Sequence, residues 1–468
     1  IELIKRKLKR RRLELEAVAS QYYRLLQRTP VVAGTNQSDY FLIERQAPDR
    51  TILRIYDPET GDCRLEQQFS GRETKELWLY GLAGNDTFEV KGNTRKDFPI
   101  YLISGEGENQ YQLNHNRKIH VYDKDYKYDY QKIKYHKISF TPWGIYDSDK
   151  GISLGTFFTY TMYGFKRAPF TYQHRIGYNY LKGFMYAGVF PNYDGRRRLY
   201  LNASISSPRN FENFFGFGNN TAGYKEEKKN YNRVKLRTYM LNPSFEMDLR
   251  KEEVVTFFGS LDMYKAKRTD DRYIYTVYGE DHPIFRTNYF VGLGATYRIT
   301  KQPYSWLPLL ETEWTAGWKM NLKEPERNFP YAQGSLSWNV RFSDRFTWAS
   351  LMKGTVLFDN DYEFYQAATI DLRGFRDNRF IGKQSFYQYS DLRLDMGKLK
   401  NPFTPLKYGL FAGFDYGRVW FPGERSHSWH TSYGGGIWLT FLNKFTTKYS
   451  WFGSTDSFRF AFELGLGF

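Results

Sequence analysis

A single cysteine, Cys63, stands in a chain of 468 residues, which excludes an internal disulfide and any metal site built on cysteines. Long apolar runs are missing as well: no stretch reaches the roughly 18 consecutive apolar residues that a membrane-spanning helix needs. Histidine is scarce and scattered, at His115, His120, His136, His174, His282, His427 and His430. His427 and His430 are close in sequence, but no carboxylate pattern accompanies them, and they read as loop residues. No paired acid and base, nucleophile triad or phosphate-cradling loop stands out. The expectation is therefore that these residues form no enzyme and hold no metal or cofactor. A cleavable leader is also not seen. Ile1 leads directly into a basic segment, which reads as a mature chain or a fragment whose upstream part is missing.

What is abundant is aromatic. Forty Tyr, 39 Phe and 11 Trp make up 19% of the chain. Aromatic side chains favour strands, and Tyr and Trp collect where apolar and aqueous phases meet. The mean hydropathy of −0.66 suggests a soluble protein. A membrane barrel is compatible with that value, because only alternate residues of each strand face lipid. The formal net charge is +17. Outside one amino-terminal block the basic residues are spread among strands and turns, so nucleic acid is not an expected partner.

Three regions follow one another. Residues 1–30 read as a basic linker helix: Ile1, Ile4, Leu8, Leu15, Val18, Tyr22 and Leu25 keep a 3/4 spacing, and Pro30 ends it. Lys5, Arg6, Lys7, Lys9, Arg10, Arg11 and Arg12 form the basic block. A solvated linker is the first reading, a helix on anionic headgroups the second, and nucleic-acid binding a distant third. Residues 31–131 read as a small β-rich domain, with strands at Tyr40–Arg45, Thr51–Tyr56, Glu76–Tyr80, Thr87–Val90, Ile100–Ile103 and Lys118–Tyr122. Gly84-Asn85-Asp86-Thr87-Phe88 and Gly107-Glu108-Asn109-Gln110-Tyr111 look alike. They are read as turns of a short sheet or solenoid in preference to a calcium site, which needs more stacked repeats.

From Lys132 to Phe468 the pattern becomes long alternating segments. Sixteen begin near Ile138, Gly151, Thr171, Phe184, Arg197, Asn230, Val254, Arg286, Leu307, Pro330, Arg345, Phe386, Leu406, Ser428, Phe445 and Asp456. In the last, Phe458, Phe460, Phe462, Leu464, Leu466 and Phe468 share one face, while Arg459, Ala461, Glu463, Gly465 and Gly467 share the other. The segment from Leu406 repeats this, with Lys407, Gly409, Gly413, Asp415 and Gly417 inward and Phe411 the exception. The fold class expected is all-β: a 16-stranded antiparallel transmembrane β-barrel, closed because lipid cannot satisfy a free edge, preceded by the small β-rich domain and the helix.

A long loop, Asn360–Ser385, separates the eleventh and twelfth segments. Within it, Leu372-Arg373-Gly374-Phe375 resembles the V/L-R-G-F/Y motif on the sixth loop of the BamA/TamA superfamily of outer-membrane assembly and translocation barrels, the bacterial surface antigen family. Gly413-Phe414-Asp415-Tyr416-Gly417, on the thirteenth segment, resembles the family's partner motif. The resemblance covers Lys132–Phe468. It implies a loop folded into the lumen, an Arg373–Asp415 pair, a carboxy-terminal aromatic signal at Phe468, and a weak seam between the first and last strands. A bidentate, charge-assisted bond is a suitable anchor for such a loop, and Gly374 permits close approach to the wall. The pair is read as a scaffold brace before a substrate-handling device. At the seam, Gly465 and Gly467 reduce packing, and the first strand, Ile138–Tyr146, reads as short and carries Pro142.

Val31–Gly92 looks like the connector of Bacteroidetes fusions in which a calcineurin-like metallophosphoesterase precedes such a barrel; any enzyme then lies upstream of Ile1. The implied function is outer-membrane protein assembly, insertion or translocation, with an anchor or export barrel for one upstream domain as the alternative. A simple porin is disfavoured by a plugged lumen. Implied partners are outer-membrane lipid including lipopolysaccharide, nascent outer-membrane proteins and an assembly-machine subunit. The implied location is the bacterial outer membrane, with a periplasmic amino-terminal region.

Overall fold

The computed structural model describes residues 2–46, 49–92, 97–114, 118–123, 136–147, 150–163, 169–192, 195–221, 230–269, 271–301, 310–399, 406–441 and 445–466. Gly467, Phe468, Ile1, His115 and the expected domain boundary at Lys132 lie outside these residues. The chain divides into two compact units, Ile1–Lys134 and Tyr135–Phe468.

The first unit opens with the helix Glu2–Arg28 and continues as a two-sheet β-solenoid. One sheet stacks Val31–Ala33, Leu77–Tyr80, Ile100–Gly105 and Ile119–Asp123 in parallel. The other stacks Tyr40–Gln46, Thr87–Gly92 and Gln110–Leu113 in parallel, with the antiparallel strands Arg50–Tyr56 and Cys63–Ser70 added to its edge. Each rung crosses from the first sheet to the second through a glycine turn. Identical registers place like residues above one another, so Phe41 stacks on Phe88 at 4.5 Å and Phe88 on Tyr111 at 5.8 Å. The core between the sheets is Phe41, Ile43, Leu53, Leu77, Leu79, Phe88, Val90, Ile100 and Leu102. The look-alike turns are successive rungs, as the solenoid reading expected. Three strands escaped the sequence reading: Val31–Ala33, Cys63–Ser70 and Gln110–Leu113. The first is only 3 residues long, and the other two carry mostly polar side chains.

The second unit is a closed antiparallel barrel of 16 strands, and each of the sixteen expected segments is one of them. Strands 1 to 5 are Lys137–Asp147, Gly151–Met162, Tyr172–Asn179, Gly183–Pro191 and Arg197–Ser206. Strands 6 to 11 are Arg233–Arg250, Glu253–Ala266, Asn288–Lys301, Leu310–Asn321, Asn328–Arg341 and Phe346–Leu357. Strands 12 to 16 are Gln384–Leu399, Leu406–Trp420, His430–Phe441, Phe445–Gly453 and Phe458–Leu466.

Alternation explains the wall. On strand 13, Leu410 and Phe414 are exposed at 42% and 50%, while Phe411 and Asp415 between and beside them are 5% and 0%. Phe411 tolerates the inward position because it packs with Trp438 and Phe452 in an apolar cluster inside the barrel. Ile138, Leu154, Ile176, Phe184, Leu293 and Trp314 continue the exposed apolar belt around the outside. An apolar outer belt on a closed barrel is the requirement for a structure that spans lipid with strands.

The first strand is not short. It runs 11 residues and pairs with strand 2 along its whole length, Pro142 included. What is short is its pairing with strand 16: among the described residues, only Gly144, Ile145, Tyr146 and Asp147 face Leu464, Glu463, Phe462 and Ala461. Pro142, two residues before Gly144, has no amide hydrogen to continue the ladder. Gly465 and Leu466 are paired to strand 15 but not to strand 1.

Candidate functional site: the loop locked into the lumen

The loop between strands 11 and 12, residues 358–383, turns inward because both its ends are pinned. A 3₁₀ turn, Phe364–Gln366, is closed by a capping box between Glu363 and Gln366. Arg327 reaches the buried carboxylate of Glu363 at 2.5 Å. A two-residue ladder then joins Ala368–Thr369 to Ile381–Gly382. The motif lies within the loop so formed. Leu372 and Phe375 are 2% and 4% exposed and pack with Ile370, Phe380, Tyr387 and Val419. The Phe375 N–H donates to the Leu372 carbonyl at 2.9 Å, which makes the turn that presents Arg373 and Gly374.

Arg373 meets the wall with its whole polar surface. Its Nε donates to Oδ1 and Oδ2 of Asp415, both at 3.1 Å, and its backbone N–H donates to Oδ2 at 3.1 Å. Nη2 also donates to Asp415, and Nη1 donates to Oδ1 of Asp391 at 2.6 Å. The guanidinium lies over the Phe452 ring at 4.0 Å and near Tyr389 at 5.3 Å. Ser432 Oγ donates to Asp415 Oδ2 at 2.8 Å. A guanidinium fork shared by two carboxylates and backed by a ring is a fixed, desolvated arrangement that a lysine would not reproduce.

The glycines are there for space. A Cβ on Gly374 would lie 2.6 Å from Ser432 Cβ and 2.9 Å from the Gly453 carbonyl oxygen. Ser454 Oγ donates to the Gly374 carbonyl at 2.7 Å, so the loop tip touches strands 14 and 15 through bare backbone. A Cβ on Gly413 would lie 2.7 Å from Arg373 Nη2 and 2.8 Å from Asp391 Oδ1. A Cβ on Gly417 would lie 2.7 Å from Tyr387 Cβ.

The structure thus brings Leu372, Arg373, Gly374, Phe375, Gly413, Asp415 and Gly417 into one locus. The strand 16 residues lie on a different part of the wall: Phe462 and Leu464 at the seam with strand 1, Phe458 and Phe460 paired with strand 15. Sequence reasoning missed Asp391, Ser432 and Phe452. Asp391 is on the inward face of strand 12, and the same alternation that pointed Asp415 inward would have found it. His430 is also not a loop residue. It opens strand 14 and stacks on Phe380 at 3.5 Å, a partner no local pattern indicates. Arg379, four residues beyond the motif phenylalanine, donates to Asp456 and Thr221.

Other loops close over this plug. Glu424 accepts from the backbone N–H of Asn219 at 2.7 Å and of Asn220 at 3.0 Å. Asn378, in a left-handed conformation at φ 55°, donates to Glu212. Phe214, Phe285, Phe364 and Ile381 form an apolar cluster under these contacts. A cavity of about 840 Å³ remains beside the lock, lined by Lys150, Glu212, Asp371, Arg373, Lys448 and Glu463 among others, and it reaches the seam residues Ile145 and Ala461.

In the solenoid, the turn residues Asp39, Asp86 and Asn109 form a ladder. Asp39 N–H donates to Asp86 Oδ1, and Asp86 N–H to Asn109 Oδ1, both at 2.9 Å. Burial pushes the Asp86 carboxyl up to about 6. No group of three or more His, Cys, Asp or Glu side chains arranged for a metal occurs among the described residues.

No family model matches the sequence, and no curated protein matches it. Solved structures do. BamA from Haemophilus ducreyi lacking POTRA domains 1–3 aligns with a TM-score of 0.51 and 11% identity, covering 71% of each chain. What it shares is the fold. CdiB from Escherichia coli aligns with a TM-score of 0.45 and 10% identity, covering 72% of this chain and 68% of its own. CdiB from Acinetobacter baumannii aligns at 0.42 and 12%, covering 72% and 60%.

Proposed function

We propose that the chain is a bacterial outer-membrane barrel acting in the assembly, insertion or translocation of outer-membrane proteins. The observation that carries this reading is the seam. Among the described residues, four pairs join strands 1 and 16, against 11 between strands 1 and 2 and nine between strands 15 and 16. Unpaired strand edges in lipid are costly, and the complementary way to satisfy one is to add another strand. A substrate strand entering there would find a lumen kept closed by the locked loop, so insertion need not open a leak. In this reading the outer belt contacts lipid including lipopolysaccharide, and the partners are nascent barrel proteins and an assembly-machine subunit. The solenoid faces the periplasm.

A second reading has its own support: the unit preceding the barrel is a β-solenoid and not a strand–helix–strand–strand docking unit. With the likeness of Val31–Gly92 to a fusion connector, this favours an anchor or export barrel for one upstream domain, a metallophosphoesterase. Catalysis would then belong upstream and not to these residues. Depletion of the protein, followed by quantification of all outer-membrane proteins, separates the two. Assembly predicts broad loss of barrel proteins. Loss confined to the location or activity of an upstream domain would replace it with the anchor reading.

A further inference from the structure

The helix Glu2–Arg28 has 27 residues, about 40 Å at 1.5 Å per residue. Its carboxy-terminal end is tied to the solenoid: the Lys75 N–H donates to the Arg28 carbonyl at 2.8 Å, and the Trp78 N–H to the Pro30 carbonyl at 3.0 Å. Before that point none of the described residues of its own unit covers it, and every side chain from Ile4 to Arg24 is exposed. The exposure includes an apolar stripe, interrupted within its sector only at Arg11. Ile4, Leu8, Leu15, Val18 and Tyr22 are 59–64% exposed. At 3.6 residues per turn they fall within a sector of about 80°. Most helices in proteins gain their stability from packing such a face, so the solvated-linker reading leaves the stripe unexplained.

Charge identifies what covers it. Seven of the eight residues from Lys5 to Arg12 are basic, and the whole helix carries nine Lys or Arg against three Glu. A second copy laid parallel would bring two such blocks together, and one laid antiparallel would set each block against residues 18–25, which hold no acidic side chain. An anionic surface complements both features at once: the stripe enters the boundary between headgroups and acyl chains, and the long basic side chains reach up to phosphates. The same chain carries a transmembrane barrel. We infer that the helix Glu2–Arg28 lies in the plane of an anionic lipid surface, with Ile4, Leu8, Leu15, Val18 and Tyr22 immersed and Lys5–Arg12 on the lipid phosphates. The inference holds under either function proposed for the barrel.

The test uses the full chain in nanodiscs. Cys63→Ser removes the native thiol, Leu15→Cys supplies a labelling site, and an environment-sensitive fluorophore reports immersion. Discs of phosphatidylcholine are compared with discs containing about one-third phosphatidylglycerol. The expected result is a blue-shifted emission, quenched by nitroxide-labelled acyl chains, in anionic discs alone. It should reverse at about 0.5 M salt, where screening shortens the Debye length to a few ångströms. Arg6→Glu, Arg10→Glu and Arg11→Glu together should lower the bound-to-free ratio by on the order of 100-fold or more. The matching lysine triple should retain binding, which separates lost charge from a lost helix. Solvent-like emission in both discs at low salt would overturn the inference. So would a blue shift that needs added polyglutamate and ignores lipid charge, which would make the partner an acidic polypeptide.

Discussion

Asp415 is the residue on which the plug turns. It is fully buried on the inward face of strand 13 and accepts from Arg373 Nε, Nη2 and backbone N–H and from Ser432. Asp415→Ala removes the acceptor and leaves the guanidinium with Asp391 alone. Breaking a buried pair from one side costs about 3–5 kcal/mol, more than a loop tip held by a few further contacts can absorb. Limited proteolysis should then cut within residues 370–380 of the variant and not of the parent; equal resistance would mean that Leu372, Phe375 and Arg379 hold the loop unaided. Gly374→Ala should have a similar but smaller effect, because its Cβ would collide with backbone and with Ser432, and only a shift of the tip relieves that.

At the scale of elements, two features make distinct predictions. On the seam, Ile145 and Glu463 are direct partners, whereas Pro142 and Leu466 lie beyond the paired register. In a Cys63→Ser background, cysteines at 145 and 463 should cross-link rapidly on oxidation, because paired strands place them within disulfide reach. Cysteines at 142 and 466 should cross-link more slowly, as followed by gel mobility; equal rates would mean that the ladder continues past Gly144. In the solenoid, Asp86 is the unneutralised rung, since Arg64 pairs with Asp39 at 2.9 Å and Asn109 carries no charge. Its carboxyl titrates at about 6 in the fold against an ordinary value of 3.8. The folded state therefore holds a proton that the unfolded chain has already released. Stability from this group is complete below about pH 4 and is lost as the pH rises to about 6, on the order of 2–3 kcal/mol by linkage. Asp86→Asn should remove that slope and stabilise the solenoid at neutral pH, measured by hydrogen exchange of its backbone amides across the pH range.

At the scale of the whole molecule, the lumen is filled from one end. The loop lock, the Glu424–Asn219 contact and the Arg327–Glu363 pair all draw loops over the barrel mouth. The intact barrel should show little steady conductance in planar bilayers. Deleting residues 371–379 should produce a large and lasting one. A parent protein that conducts as well as the deletion would mean that the plug does not seal, and would return the porin reading to favour.

Strand number, strand order and the inward or outward sense of the wall were legible in the sequence, because a period of two is a local property and lipid enforces it on every strand. The sixth loop and its partner aspartate were legible as well, through a motif resemblance at two separated sites. Other features depended on distant parts of the chain meeting, and only the tertiary structure decided them. Asp391, Ser432, Phe452 and His430 join the lock because closing the barrel brings strands 12, 14 and 15 around one loop tip. The pairing of strand 1 with strand 16 is limited to four pairs among the described residues, although strand 1 itself is not short. Gln110–Leu113 pairs because the rung Thr87–Gly92 dictates the next one, while Cys63–Ser70 folds back on Arg50–Tyr56 as a hairpin at the sheet edge. Alternation could have pointed Asp391 inward, but which inward residues meet the loop tip is decided by contacts between segments distant in sequence.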